Sequence, residues 1–254
     1  MRRAVGVAGE LFVTVGIIML LFVVWQLGYV GIVDTRAQSG IVEGLERDFG
    51  TPTSTAHPST PAAGGRLASA GGGTGPQTAG GGAPAEAGGT TLADGSVFAI
   101  VRIPRLGGPS WARPVLQGVG PDTLARGLGH YPQTQLPGHV GNVAIAGHRA
   151  GHGNPLIDID QIKPGDLMII ETREGWFVYR TLSTEIVSPT RVDVLDPVPM
   201  QPGVSPTQSW FTLTSCDPKY GSTNRYIIIS QLEQTFPRAH GLPPDLLADP
   251  ASRA

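Results

Sequence analysis

"TLTSCDPKYGSTNRYIII", Thr212–Ile229, sets two β-rich runs either side of a turn-forming stretch and contains the only cysteine of the chain, Cys216. The first run belongs to "WFTLTS" (Trp210–Ser215) and the second opens "RYIIISQL" (Arg225–Leu232). Pro218 has no N–H to give to a ladder, so the first strand is expected to stop at Asp217-Pro218. If the two strands are neighbours, the eight residues Asp217–Asn224 return Arg225 to the mouth where Cys216 lies.

Similar runs recur upstream with turn signals between them. They are Val97–Ile103, Ala112–Gln117, Asn142–Gly147, Asp166–Thr172 and Trp176–Val187. "KPGD" (Lys163–Asp166) and "REGW" (Arg173–Trp176) read as turns, while Pro121–Gly127 and Leu156–Ile162 read as short helices. Many short strands with few helices point to a mostly β barrel or sandwich. Charged residues make up 15% of the chain and the net charge is −2, so no basic stripe is present to neutralise phosphates and no nucleic-acid partner is expected. One cysteine excludes an internal disulfide and a cysteine-rich zinc site within the chain.

From Leu11 to Val33 the sequence carries no charge, and those 23 residues are long enough to cross a bilayer core as a helix. Arg2 and Arg3 precede the span and Asp34 follows it. The positive-inside rule therefore puts the N-terminus in the cytoplasm and everything after Val33 outside. A cleaved signal peptide would have a shorter apolar region and a small-residue cleavage site, which "TRAQ" (Thr35–Gln38) matches poorly, so an uncleaved anchor is expected.

Thr51–Gly89 is Gly, Ala, Pro, Ser and Thr with almost no large apolar side chains, which cannot offset its ordering entropy. It reads as a flexible tether with a reach of about 30–40 Å, holding the next domain off the membrane. Gly40–Phe49 reads as a short helix just outside the membrane. The expected division is a cytoplasmic N-terminus (1–10), a transmembrane helix (11–33), an extracytoplasmic linker (34–92), a catalytic β-barrel (93–235) and a disordered tail (236–254).

A nucleophilic cysteine needs a base or positive field, a donor for the oxyanion it generates, and exposure, which a strand end provides. Taken alone, Cys216 reads equally as a small buried hydrophobe, and Arg225 as a surface residue at a strand start. His57 and His240 lie in segments read as disordered, leaving His130, His139, His148 and His152 for the base. His148 ends "NVAIAG" and opens a Gly-rich loop, "HRAGHGNP", where a side chain can face a cleft; it reads equally as structural. His148 and His152 are four apart, but Gly151, Gly153 and Pro155 argue against a helical metal pair. No metal or other cofactor is expected.

"TLTSC" followed by Arg225 resembles the sortase signature, T-L-x-T-C with an Arg several residues on, and "AIAGHR" resembles the segment that carries the sortase histidine. The order His148, Cys216, Arg225 agrees, and "GHYP", "NVAIAGHR" and "TSCDP" most resemble class E sortases. The resemblance covers Phe98–Leu232 and implies an eight-stranded sortase-type barrel. Cys216 would attack the Thr–Gly bond of a Leu-Pro-x-Thr-Gly-like or Leu-Ala-x-Thr-Gly-like sorting signal on a secreted protein. His148 would protonate the leaving amine and then help activate an amine of a lipid II-like peptidoglycan precursor. Arg225 would stabilise the oxyanion, Tyr131 would line the pocket for the signal's Pro or Ala, and Thr214 and Ser215 would contact substrate. The alternatives are a pilin-polymerising sortase and a non-catalytic tethered barrel. Ser215 replaces the family's Thr, and Asp217 stands where class E sequences often have His. A carboxylate beside the thiol opposes thiolate formation unless it points away or pairs with Lys219.

Overall fold

The computed structural model describes residues 2–50 and 92–248. The eight strands are β1 (Val97–Arg102), β2 (Ala112–Gln117), β3 (Leu128–His130), β4 (Gly141–Ala146), β5 (Leu167–Thr172), β6 (Gly175–Val187), β7 (Ser209–Asp217) and β8 (Asn224–Pro237). They close into a barrel in the order β1-β2-β3-β4-β7-β8-β6-β5. Most pairings are antiparallel, but β2 with β3 and β4 with β7 are parallel. The expected helix near Pro121 is α2 (Pro121–Arg126). The helix expected over Leu156–Ile162 is only a single 3₁₀ turn, Ile159–Gln161.

Successive strand residues point to opposite faces. Val143 and Ile145 of β4, Phe211 and Leu213 of β7, Ile228 of β8 and Tyr179 of β6 therefore fill the barrel, with Ala99, Val101, Val115, Leu128, Met168 and Ile170. The alternate residues of β4 and β7 face outward and yet are buried, because the segment between β6 and β7 folds over them. Asn142 fixes that cover. Its Nδ2 donates to the carbonyls of Val194 and Asp196, both at 3.1 Å, and its Oδ1 accepts from Thr212 Oγ1 at 3.0 Å. Val187, Val194, Ile227 and Ile229 pack beneath it, with Trp210 and Met200 alongside.

The long N-terminal helix α1 (Arg2–Gly50) runs on where a linker is expected from residue 34. The reason is a buried stripe at helical spacing, Gln38, Val42, Leu45 and Phe49. Val42, Leu45 and Phe49 pack on Ile100, Val97 and Ala112, each burial worth about 2 kcal/mol. Glu46 pairs with Arg102, which also meets Glu171 at 2.8 Å. Among the described residues no helix is long and apolar enough to cross a membrane; the side chains of Val24 and residues 26–32 lie outside that set. The Gly-rich stretch read as a tether falls on residues 51–91, also outside the described residues. Leu45, Phe49 and Leu92, on either side of it, line one cavity of about 380 Å³ with Val97, Phe98 and Leu136.

The tail expected to be disordered from 236 is instead ordered as far as Ala248; residues 249–254 lie outside the described set. β8 continues to Pro237, and 3₁₀ turns follow at Arg238–His240 and Pro244–Leu247. Arg238 explains the continuation. Its guanidinium lies 4.0 Å from the Trp176 ring centroid and 5.1 Å from that of Phe49, and it donates to Glu171 at 2.7 Å.

Replacing Asn142 by Ala strands two carbonyls and a hydroxyl beneath the β6–β7 segment. Urea denaturation of Asn142→Ala is expected to show a loss of about 2–3 kcal/mol.

Candidate active site

The parallel pairing of β4 with β7 matches Ala146 with Thr214, and it extends beyond the last formal rung. The Gly147 N–H donates to Thr214 O at 3.0 Å, and Ser215 Oγ donates to Gly147 O at 2.9 Å. His148 and Cys216 are the next residues of the two chains, so they leave this pair side by side. Gly147 is required there, since a Cβ would lie 2.5 Å from Leu128 Cδ2 and 2.7 Å from Leu156 Cδ1. On the other side of β7, Cys216 pairs directly with Arg225 of β8 in antiparallel register. Directly opposed residues share a face of the sheet. Thr212, Thr214 and Cys216 lie on the outer face of β7, and Arg225 meets Cys216 there. The three expected catalytic residues thus stand on adjacent strands at one end of the barrel, all half-buried.

Cys216 is a free thiol. The Arg225 guanidinium is steadied by its own turn, with Nη1 donating to Ser222 O and Asn224 O, both at 2.9 Å. Only one of its nitrogens is engaged in these bonds, and a guanidinium has five N–H donors. The His148 ring stacks on His152, with centroids 4.7 Å apart and planes inclined by 27°. Burial, and secondly the neighbouring His152, push the His148 pKa below its ordinary value of 6.5. His148 is therefore a neutral imidazole at pH 7, ready to accept a proton.

The neighbour of the thiol, Asp217, is neither free nor paired with Lys219. Alternation turns it away from the face of Cys216, where Arg149 Nη1 holds its Oδ1 at 2.6 Å. Arg149 also donates to Asp160 at 2.8 Å and lies over the Tyr226 ring at 5.6 Å, while its side chain is only 5% exposed. Lys219 instead pairs with Asp158 at 2.8 Å. The Asp217 carboxylate beside the thiol, the feature that favours a non-catalytic barrel, is thus turned away from Cys216 and paired with Arg149. In the sequence Arg149, directly after His148 in "AIAGHR", speaks only against a metalloprotease pair, since it stands where that motif has glutamate; its place beneath Asp217 is not legible there.

Tyr131 lies beside this face, its hydroxyl 3.2 Å from Thr214 Oγ1. Thr214 and Ser215, expected to contact substrate, are 4% and 3% exposed. Ser215 faces inward and ties β7 to Gly147, so its hydroxyl serves the pairing of the two chains. His130 is buried as well. Its Nε2 donates to Gln135 O at 2.9 Å and Nδ1 meets Gln117 Oε1 at 2.8 Å, so it fastens β3 to the following loop. His139 is exposed at the opposite end of the barrel, by the cavity next to α1. Among the described residues no group of three or more His, Cys, Asp or Glu side chains could hold a metal ion.

Two outcomes are expected. His152→Asn removes the neighbouring charge, so the His148 pKa should rise toward 6.5 in an NMR titration of its ring. The sign for stability follows. As pH falls below 6.5 the unfolded chain takes up a proton that the folded loop resists, so acid destabilises the native loop, and less so in the variant. Arg149→Met breaks a buried pair and should cost about 3 kcal/mol by urea denaturation, whereas Lys219→Met at the exposed pair should leave stability nearly unchanged.

A model of the sortase domain family matches residues 101–233. Sortase SrtE1 of Streptomyces coelicolor is 32% identical over 248 residues, covering 94% of this chain but only 60% of its own length. The chain therefore spans less than two thirds of that relative. The structure of sortase E from Streptomyces avermitilis is 38% identical with a TM-score of 0.55, over 61% of this chain and 99% of that one. Sortase E1 from Streptomyces coelicolor, with a tripeptide in the active site, is 35% identical with a TM-score of 0.54, over 60% and 97%.

Proposed function

Because this chain belongs to the sortase family, we propose that it is a membrane-anchored cysteine transpeptidase. Its substrates are secreted proteins with a C-terminal Leu-Pro-x-Thr-Gly-like or Leu-Ala-x-Thr-Gly-like sorting signal, and its acceptor is an amine of a lipid II-like cell-wall precursor. The observation that carries this reading is the direct pairing of Cys216 with Arg225, with His148 leaving the adjacent parallel strand. The related sortase E1 with a tripeptide in its active site supports a peptide substrate.

The chemistry then runs in two halves. Neutral His148 accepts the thiol proton as Cys216 Sγ adds to the Thr carbonyl carbon of the signal, and Arg225 N–H groups donate to the oxyanion. The Thr–Gly C–N bond breaks as the His148 imidazolium returns its proton to the leaving glycine nitrogen. Cys216 is left as a thioester. The incoming amine attacks that thioester, His148 takes the proton it sheds, and the C–S bond breaks to release the joined product. His148 finally returns the proton to the Cys216 thiolate. Tyr131, next to Thr214, lines the pocket for the signal's Pro or Ala.

The apolar span at 11–33 supports the anchor. Leu11, Phe12, Ile17, Ile18, Met19 and Leu20 of α1 are each more than half exposed, with no protein surface against them. A helix bare on all sides in this way suits hydrocarbon as its solvent. The N-terminus lies in the cytoplasm and the barrel on the outer face of the membrane.

The full chain in detergent micelles, given fluorogenic Leu-Pro-x-Thr-Gly and Leu-Ala-x-Thr-Gly peptides, should form a thioacyl adduct on Cys216 visible by mass spectrometry. Cys216→Ala should abolish turnover, and Arg225→Ala should lower kcat by about 100-fold or more. Absence of any adduct with both peptides would remove the enzyme reading.

A further inference from the structure

The loop that follows His148 is strained, and α1 grips it. Gly151, His152, Gly153 and Asn154 all have positive φ, at +82°, +49°, +75° and +51°. Two of the four are not glycine, and a left-handed residue with a side chain costs about 1–3 kcal/mol unless its surroundings impose it. Within the loop, Asn154 Oδ1 accepts from the Gly151 N–H at 2.7 Å and Leu156 N–H donates to His148 O at 3.1 Å. Asn154 N–H also donates to Gly151 O at 2.9 Å, and the helix adds further constraints. Gln38 Nε2 donates to His152 O at 2.9 Å, and Thr35 Oγ1 donates to Gly153 O at 3.3 Å. Gly153 lies so close to α1 that a Cβ there would sit 3.1 Å from the Thr35 backbone nitrogen.

Gln38 is 2% exposed and is the one polar residue in the stripe it shares with Val42, Leu45 and Phe49. A purely adhesive helix would carry an apolar side chain there. Its amide instead meets the carbonyl of the residue whose ring stacks on His148. The geometry points to Gln38 as a positioning residue: by gripping the His152 backbone it fixes the ring against which His148 stacks and so the placement of the His148 imidazole, with Thr35 acting in the same sense through Gly153. The membrane-proximal helix is thereby a component of the active site. This assignment rests on His148 being the proton carrier proposed above.

His152 is the titratable group that acts on His148; of the others nearby, Arg149 follows it in the chain, Cys216 and Asp217 end the strand paired with β4, Arg225 opposes Cys216 on β8, and Asp34 of α1 lies against Gly153. Asp217 is committed to Arg149, which leaves His152 as the group whose placement Gln38 controls.

The test uses the full chain in micelles with the fluorogenic sorting peptides. Gln38→Met keeps size and helix propensity but has no donor, and Gln38→Glu presents an acceptor to a carbonyl. Both should lower kcat about tenfold or more with KM changed less than about twofold, and Thr35→Val should do the same more weakly. Leu45→Ala, which loosens α1 at its far end, serves as the comparison. If Gln38→Met and Leu45→Ala lose kcat in the same proportion to their loss of melting temperature, the helix is only structural and the assignment fails. It fails equally if kcat is unchanged in both Gln38 variants. An NMR titration reads the point without turnover: the His148 pKa should move toward its ordinary value in Gln38→Met, and an unmoved titration overturns the assignment even if the wild-type chain proves inactive on these peptides.

Discussion

Strands β4 and β7 run parallel over six rungs, from Gly141↔Ser209 to Ala146↔Thr214, and two positions beyond the last rung stand His148 and Cys216. Parallel strands are joined by distant stretches of chain and are normally covered on both faces. Here the inner face packs on the barrel core and the outer face lies beneath the β6–β7 segment pinned by Asn142. The Ser215–Gly147 bond then carries the alignment one residue past the sheet. A slip of one residue would turn Cys216 inward and bring Asp217 to the face where the thiol belongs. Register in this pair therefore decides whether there is a site at all.

Charge is handled the same way at both ends of the barrel: a buried arginine or glutamate is shared by more than one partner. Arg149 joins Asp217 and Asp160 beneath the site. Glu171, 4% exposed, joins Arg102 and Arg238 at the other side, and through Arg102 it reaches Glu46 on α1. Buried ions left alone cost several kcal/mol each, so each cluster constrains the elements that meet in it. One cluster holds the Asp217 carboxylate on Arg149, away from the Cys216 face. The other seats the long helix.

Where local pattern governs, the sequence is a good guide. "WFTLTS" and "RYIIIS" form β7 and β8 as their alternation suggests, and the loop between them returns Arg225 to Cys216. β7 ends at Asp217, where Pro218, with no N–H to give, is expected to stop it. β3, only three residues from Leu128 to His130, is too short to show a period of two and was not visible. The adjacency of His148 to Cys216 depends on a parallel pairing across more than sixty positions, which spacing alone cannot reveal. The helix at Gly40–Phe49 is legible in the sequence, but its continuity with the preceding span and its docking on the barrel are not. Its stripe of Gln38, Val42, Leu45 and Phe49 is modest, and it becomes informative only when Ile100 and Ala112 supply the opposing surface.

Residues 51–91 leave the helix at Gly50 and rejoin the barrel at Leu92, and both flanks line the same cavity. With the docked half of α1 seated on the barrel, it is the helix itself that fixes where the His148 loop stands relative to Thr35 and Gln38. Register within α1 is the sensitive feature: inserting a single residue between Gln38 and Val42 would rotate the helix by about 100° between them and carry the Gln38 amide off the His152 carbonyl while Val42, Leu45 and Phe49 stay docked.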